Sequence, residues 1–236
     1  MCKFLSLFLI ICCYWSCQVQ QIGISQKAIS SEELLNWKTG ATIYTKIKNP
    51  SFEDSPAAHS TTPKGWIICN FNAEESPPDI HKSLTGFFDI KHLATEGDQF
   101  LGLVARDNGT KEHVGQALPK KMVEGKNYAF SVDLAHSKRL RSLTRKTRKH
   151  VLFDKPLILK IWGGRNVCSW KQLLFVSEPV NHTDWKTYLV EFKAERPFDT
   201  ITFQVVFDEA DHDNFYNGNI LIDNVSPIYR TKKRTQ

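Results

Sequence analysis

Thr200-Ile201-Thr202-Phe203-Gln204-Val205-Val206-Phe207 alternates polar and apolar side chains over most of its length, and Ala129-Phe130-Ser131-Val132-Asp133-Leu134 does the same. Successive side chains of an extended strand point to opposite faces, so a period of two marks strands with one face turned to a core. Working outward, similar short runs fall at 43–47, 87–93, 99–105, 112–118, 126–134, 157–162, 171–177, 186–193, 199–207 and 219–228, bounded mostly by Gly, Pro, Asn or Asp. Two packed antiparallel sheets follow, and the fold class is all-β. Helical periodicity is scarce. Ser30-Ser31-Glu32-Glu33-Leu34-Leu35 predicts one short N-terminal helix with a serine cap and acids in its first turn. The stretch 54–81, with Pro56, Pro63, Pro77 and Pro78, reads as long loops draped over the sandwich.

The chain has 236 residues, of which 41% are hydrophobic, with 15 Phe and 6 Trp, so it holds enough apolar area for a two-layer core and is not globally disordered. No internal repeat and no linker splits the body, which predicts a single domain over 42–229, a lead-in over 18–41 and a basic tail over 230–236. Met1-Cys2-Lys3 followed by a mostly apolar run from Phe4 to Trp15 has the pattern of a secretory signal over 1–17, too short to span a bilayer. Secretion or display at the cell surface is expected, and Cys17 is a candidate for lipid attachment. Export permits a disulfide between Cys69 and Cys168, the two cysteines beyond this leader; two buried thiols are the alternative.

Charge is unevenly placed. Without Lys3 the chain carries 30 basic and 25 acidic residues. Lys138, Arg139, Arg141, Arg145, Lys146, Arg148 and Lys149 supply seven of the positives with no intervening acid, and the tail supplies four, so the remaining body is net acidic by six. The segment 138–149 is expected to be a solvated loop or a contact for an anionic polymer or membrane surface. It carries no interleaved aromatics for base stacking, which disfavours nucleic acid.

Asn49-Pro50-Ser51-Phe52-Glu53, Pro63-Lys64-Gly65-Trp66 and the late Asn219-Ile220-Leu221-Ile222-Asp223-Asn224-Val225-Ser226 form an ordered set. Between them lie Leu103-Val104-Ala105-Arg106-Asp107-Asn108-Gly109-Thr110-Lys111-Glu112-His113-Val114-Gly115-Gln116, Leu159-Lys160-Ile161-Trp162-Gly163-Gly164 and Tyr216-Asn217-Gly218-Asn219. The set resembles galactose-binding-like jelly rolls over residues 43–228. It is most similar to the carbohydrate-binding modules of cellulases and xylanases, and to a subgroup in surface and secreted proteins of Bacteroidetes-type bacteria. The resemblance implies a jelly-roll β-sandwich that binds carbohydrate. It also implies a structural calcium between the first and last strands, held by Glu53 and Asp223, both suited to a hard cation. Hydrogen-bonded turn residues without an ion are the alternative.

Arg106, Asn108, Glu112 and Gln116 lie in a polar stretch between apolar ones and are candidates for hydrogen bonds to sugar hydroxyls, with Trp162 or Trp170 as a stacking platform. An Arg106–Glu112 ion pair across a hairpin, with the tryptophans in the core, is the other reading; Trp66 and Trp185 are assigned to the core outright. Asp208-Glu209-Ala210-Asp211-His212-Asp213-Asn214 lacks the glycine of a calcium-binding helix-loop-helix and reads as an acidic hairpin tip. Asn108, Asn181 and Asn224 begin glycosylation triplets. There is no His-Glu-x-x-His pair, no Gly-x-Ser-x-Gly elbow, no phosphate-cradling glycine loop and no selected carboxylate pair, so no enzyme is expected. The expected function is non-catalytic recognition of a poly- or oligosaccharide. Surface adhesion through the basic loop is the first alternative, and glycan hydrolysis is the second.

Overall fold

The computed structural model describes residues 28–39, 41–54, 56–69, 75–209 and 215–231. The expected leader with Cys17, residues 18–27 of the lead-in, most of the basic tail and most of the acidic 208–214 loop lie outside these residues.

The first strands are β1 (Ala28–Ile29), β2 (Thr42–Thr45), β3 (Ile67–Ile68), β4 (Asp79–Lys82), β5 (Gln99–Ala105), β6 (His113–Met122) and β7 (Asn127–Ala135). They are followed by β8 (Arg141–Leu143), β9 (His150–Leu152), β10 (Lys155–Pro156), β11 (Ile158–Gly164) and β12 (Gln172–Val176). The last are β13 (Lys186–Lys193), β14 (Phe198–Val206), β15 (Gly218–Asp223) and β16 (Ile228–Thr231), and one helix, α1 (Ser31–Lys38), follows β1. Ser30 caps α1 by accepting from the Glu33 amide while the Glu33 carboxylate accepts from the Ser30 amide, a reciprocal capping box.

The large sheet runs β1-β13-β7-β15-β5-β4, with β16 beside β7 and β2, and the smaller runs β12-β11-β14-β6-β3. Nearly all pairing is antiparallel, and the first long strand meets the last: Thr45 pairs with Ile228 and Thr42 with Arg230. The architecture is therefore the expected jelly-roll sandwich. Its core lies between the sheets, where Leu101, Leu103, Phe130, Val132, Ile220 and Ile222 face Val114, Leu159, Ile161, Ile201, Phe203 and Val205.

The large sheet is buried on both faces, so β15 reads Ile220-Leu221-Ile222 without alternation. Its outer face carries a second cluster of Ile90, Phe100, Val104, Leu140, Phe153 and Leu221. Farther along, Trp37 of α1 packs on Ala129 and Leu189, edge-on to Tyr229. The expected strand at 87–93 is instead a 3-10 turn, Phe87–Asp89, entered through Leu84 and continued with Phe88 and Asp89 at positive φ. Its apolar residues dock onto the sheet rather than extend it, and Ile90 is fully buried there. The expected strand at 219–228 breaks at Asn224, which has φ +49, and the chain crosses from β15 to β16. Trp66 lies in the core as expected, whereas Trp185 is half-buried against the second cluster and donates to the Leu93 carbonyl.

Cys69 and Cys168 are bonded, with Cα atoms 5.3 Å apart across 99 residues of sequence. The bridge ties the segment after β3 to the loop after β11. There Val167 lies over Gly115, where an added Cβ would come within 2.9 Å of its methyl. Because the bond closes a long loop of the unfolded chain, the double variant Cys69→Ala/Cys168→Ala is expected to lose about 2–4 kcal/mol. Urea unfolding followed by fluorescence should show the lower midpoint, and an unmoved midpoint would contradict it.

Candidate functional site

The turn between β5 and β6 starts the site. Gly109 has φ +89, and Asn108 Oδ1 accepts from the Thr110 amide at 3.2 Å and its hydroxyl at 2.8 Å, so the reversal is sealed locally. The turn brings Arg106 back against Glu112. Nη2 of Arg106 donates to Glu112 Oε1 and to the Ser76 hydroxyl, while Glu112 Oε2 accepts from the Val104 amide at 3.0 Å. Ser76 also donates to Glu112 Oε1 at 2.9 Å. The pair is buried, and Nη1 of Arg106, on a residue only 7% exposed, has no partner among the described residues.

These groups line a cavity of about 280 Å³ at the outer face of the large sheet. Asp79 at the start of β4 faces it, with Oδ1 accepting from the Ser60 amide at 2.8 Å. The roof comes from the basic segment 138–149, expected as a solvated loop, part of which is paired strand. β8 and β9 form a two-stranded hairpin that contributes Leu143, Arg145 and Arg148 to the lining. Leu140 and Phe153 anchor its base in the second cluster. The exposed Arg139–Asp89 ion pair adds little. Phe88 and Leu143 form an apolar rim, 37% and 42% exposed.

Burial raises the Asp79 carboxyl to about 6, against the pull of the Ser60 amide and Arg106. Burial likewise raises Glu112 to about 7, opposed by Arg106 and reinforced by the Asp79 charge. Two carboxyls thus titrate near neutrality in one cavity. Arg106 and Glu112 are the expected residues that the structure brings together, through the ion pair that was one of the two readings. Asn108 serves its own turn. Gln116 faces the inter-sheet core, 1% exposed, and both ends of its amide are bonded to the Lys48 backbone.

Trp162 and Trp170 lie on the outer face of the other sheet. Their rings stack at 6.2 Å with 26° between planes, and Trp162 donates to Gln204 at 2.8 Å. Trp170 is 42% exposed. Asp79, Ser60, Ser76 and Phe88 escaped the sequence reading because all four lie in loops or edge segments with no motif; the short run Asp79-Ile80-His81 was the only available signal.

Glu53 and Asp223 grip one turn from two sides. Glu53 Oε1 accepts from the Asp98 and Gln99 amides at 2.7 and 2.6 Å. Asp223 Oδ2 accepts from the Thr95 amide, the Thr95 hydroxyl and the Glu96 amide, and Oδ1 accepts from the Asn224 amide. Calcium needs six to eight oxygens, yet these carboxylates face N–H donors. No group of three or more His, Cys, Asp or Glu suited to an ion occurs among the described residues. The donor set does not fit calcium.

No family model and no curated protein matches the sequence. Among solved structures, an apo cyclase from Fischerella sp. is 17% identical, covering 84% of this chain and 100% of its own, with a TM-score of 0.52. The Stig cyclase Fisc from Fischerella sp. TAU, in complex with an indole compound, is 17% identical, covering 81% and 98%, with a TM-score of 0.51. A xylan-binding domain of carbohydrate-binding module 22 is 14% identical, covering 84% and 99%, with a TM-score of 0.43. At these identities the likeness is one of fold alone, a jelly-roll β-sandwich.

A carboxyl raised by folding binds its proton more tightly in the folded chain, so its contribution to stability is fully present below its unfolded pKa and is lost as pH rises toward the folded value. For Asp79 that window runs from 3.8 to about 6. Asp79→Asn removes this dependence, so its Tm is expected to rise relative to the original chain between pH 4 and pH 6. A pH-independent difference in thermal melts would contradict the assignment.

Proposed function

We propose that the chain is an exported, non-catalytic jelly roll that binds a saccharide in the cavity beneath the β8–β9 hairpin. The observation that carries this reading is the buried Arg106, whose Nη1 has no partner among the described residues, in a cavity that also offers Asp79, Ser60 and Ser76. A sugar presents hydroxyls that both donate and accept, together with apolar C–H faces. A guanidinium donor, a carboxylate acceptor and the Phe88 and Leu143 rim answer both. The volume is small for a ligand pocket, which suits the end or a side group of a longer glycan. The disulfide supports export.

The Trp162–Trp170 stack offers a second apolar surface on the opposite sheet, but its neighbouring face is filled by the disulfide-tied loop. The cavity therefore carries the reading.

A catalytic alternative has one specific observation behind it: Asp79 and Glu112 are both raised toward neutrality, as a proton-transferring pair would be. It requires product release from an oligosaccharide, abolished by Asp79→Asn.

Screening the folded protein on a glycan array should identify a bound saccharide. Titration calorimetry with that saccharide is then expected to show Arg106→Lys binding about tenfold more weakly, because lysine keeps the charge beside Glu112 but loses the forked donor. Phe88→Ala at the exposed rim should weaken binding without changing the melt. Absence of any saccharide binding by the folded protein would end this reading.

A further inference from the structure

The β8–β9 hairpin turns two unlike faces to its surroundings. Its ladder pairs Arg141 with Leu152, Ser142 with Val151 and Leu143 with His150, and residues directly opposite in an antiparallel pair share a face. Because side chains alternate along a strand, Ser142 and Val151 share their face with the buried Leu140, Thr144 and Phe153. This face packs on the body, where Val151 touches the second cluster. The other face carries Arg141, Leu143, His150 and Leu152, all exposed, the two leucines to 42% and 39%. Leu143 and Leu152 are diagonal neighbours across the ladder and form one apolar spot. The hairpin pairs with neither sheet.

Basic residues flank that spot. No Asp or Glu occurs between Lys138 and Asp154. Lys138, Arg141, Lys146, Arg148 and Lys149 are exposed and make no ion pair among the described residues. Asp89 and Asp107, acids of neighbouring elements, are engaged by Arg139 and by the Arg145 amide. The turn between the strands is held by its own backbone: the Thr144 amide donates to the Lys149 carbonyl at 2.9 Å, and the Thr144 carbonyl accepts from the Arg148 amide at 3.2 Å. The Thr144 hydroxyl accepts from the Thr147 amide at 3.0 Å. Leucines and basic turn are thus presented on an ordered support, which lowers the entropic cost of docking.

From this placement we infer that the outward face of the hairpin docks on an anionic lipid bilayer. Leu143 and Leu152 enter the boundary between headgroups and acyl chains, and the flanking basic residues meet lipid phosphates. The two halves of the surface select the partner together. An acidic polysaccharide or a nucleic acid would engage the cations and leave two adjacent leucines in water. An apolar protein surface would cover the leucines and desolvate Arg141, which stands opposite Leu152. A charged bilayer answers both. This surface adds to the saccharide cavity, which lies beneath the hairpin and shares Leu143 and Arg148 with it.

The test is cosedimentation of the full chain with vesicles of phosphatidylcholine, either alone or with about one quarter phosphatidylglycerol, alongside titration with heparin as a lipid-free polyanion. Wild type is compared with Leu143→Ser/Leu152→Ser and with Arg141→Ser/Lys149→Ser. Lys120→Ser/Lys121→Ser, which removes two exposed charges from β6, is the control. Thermal melts verify folding. Anionic vesicles are expected to bind at least about tenfold more tightly than neutral ones, and each hairpin variant should weaken that binding about tenfold. Heparin binding should survive in the leucine variant, and vesicle binding should survive in the β6 variant. Equal partition to neutral and anionic vesicles, or none to either, would overturn the assignment. Vesicle binding that ignores loss of the leucines would overturn it in favour of a polyanion site. A loss in the β6 variant as large as in the hairpin variants would overturn it in favour of general charge attraction.

Discussion

Antiparallel pairing of Thr42–Thr45 with Ile228–Thr231 is the constraint on which the rest depends. It closes the large sheet where β16 also lies beside β7, and so places the residues that flank both chain ends in one neighbourhood. Glu53 follows the first long strand and Asp223 ends β15, and the two carboxylates hold the 95–99 turn by its amides. That turn leads directly into β5. The strand that ends just before Arg106 is therefore aligned from the far side of the fold, and carboxylates that resemble calcium ligands serve here to satisfy backbone donors.

At the other end of β5, the Arg106–Glu112 pair illustrates why a buried ion pair is weak evidence for stability. Its charges lose hydration on burial, and removing one partner of such a pair leaves the other stranded at a cost of about 3–5 kcal/mol. The surrounding bonds from Ser76 and the Val104 amide compensate the carboxylate, but one arm of the guanidinium has no such compensation among the described residues. Under our proposal that deficit is relieved by ligand, so a group that costs the free protein stability contributes affinity in the complex.

Legibility in the sequence followed interaction range. The alternation at 129–134 and 200–207 exposed two strands of the sandwich, because period-two patterning is a local property, although the fold buries their polar positions as well. Capping at Ser30 and reversal at Asn108-Gly109 were visible for the same reason. The 87–93 run misled because apolar content is the same whether a segment pairs in a sheet or docks on one; positive φ at Phe88 and Asp89 is a tertiary outcome. Gln116 looked like part of a polar surface stretch, yet the pleat turns it inward to bond Lys48, 68 residues away. The site was half legible. Arg106 and Glu112 are six residues apart, but Asp79 and Arg148 reach the cavity from separate elements, and the sequence carries no signal of that convergence.

The β8–β9 hairpin lends no strand to either sheet; it joins the body through Leu140 and Phe153 at its base and through a single backbone bond from Arg145 to Asp107 at its tip. Recognition and scaffold are consequently modular: the tip from Thr144 to Lys149 is a replaceable cartridge, whose sequence can drift or be exchanged without disturbing the register of the sandwich. Retargeting the recess toward other ligands by grafting a new tip would then be a local edit, and divergence among proteins of this architecture should concentrate there.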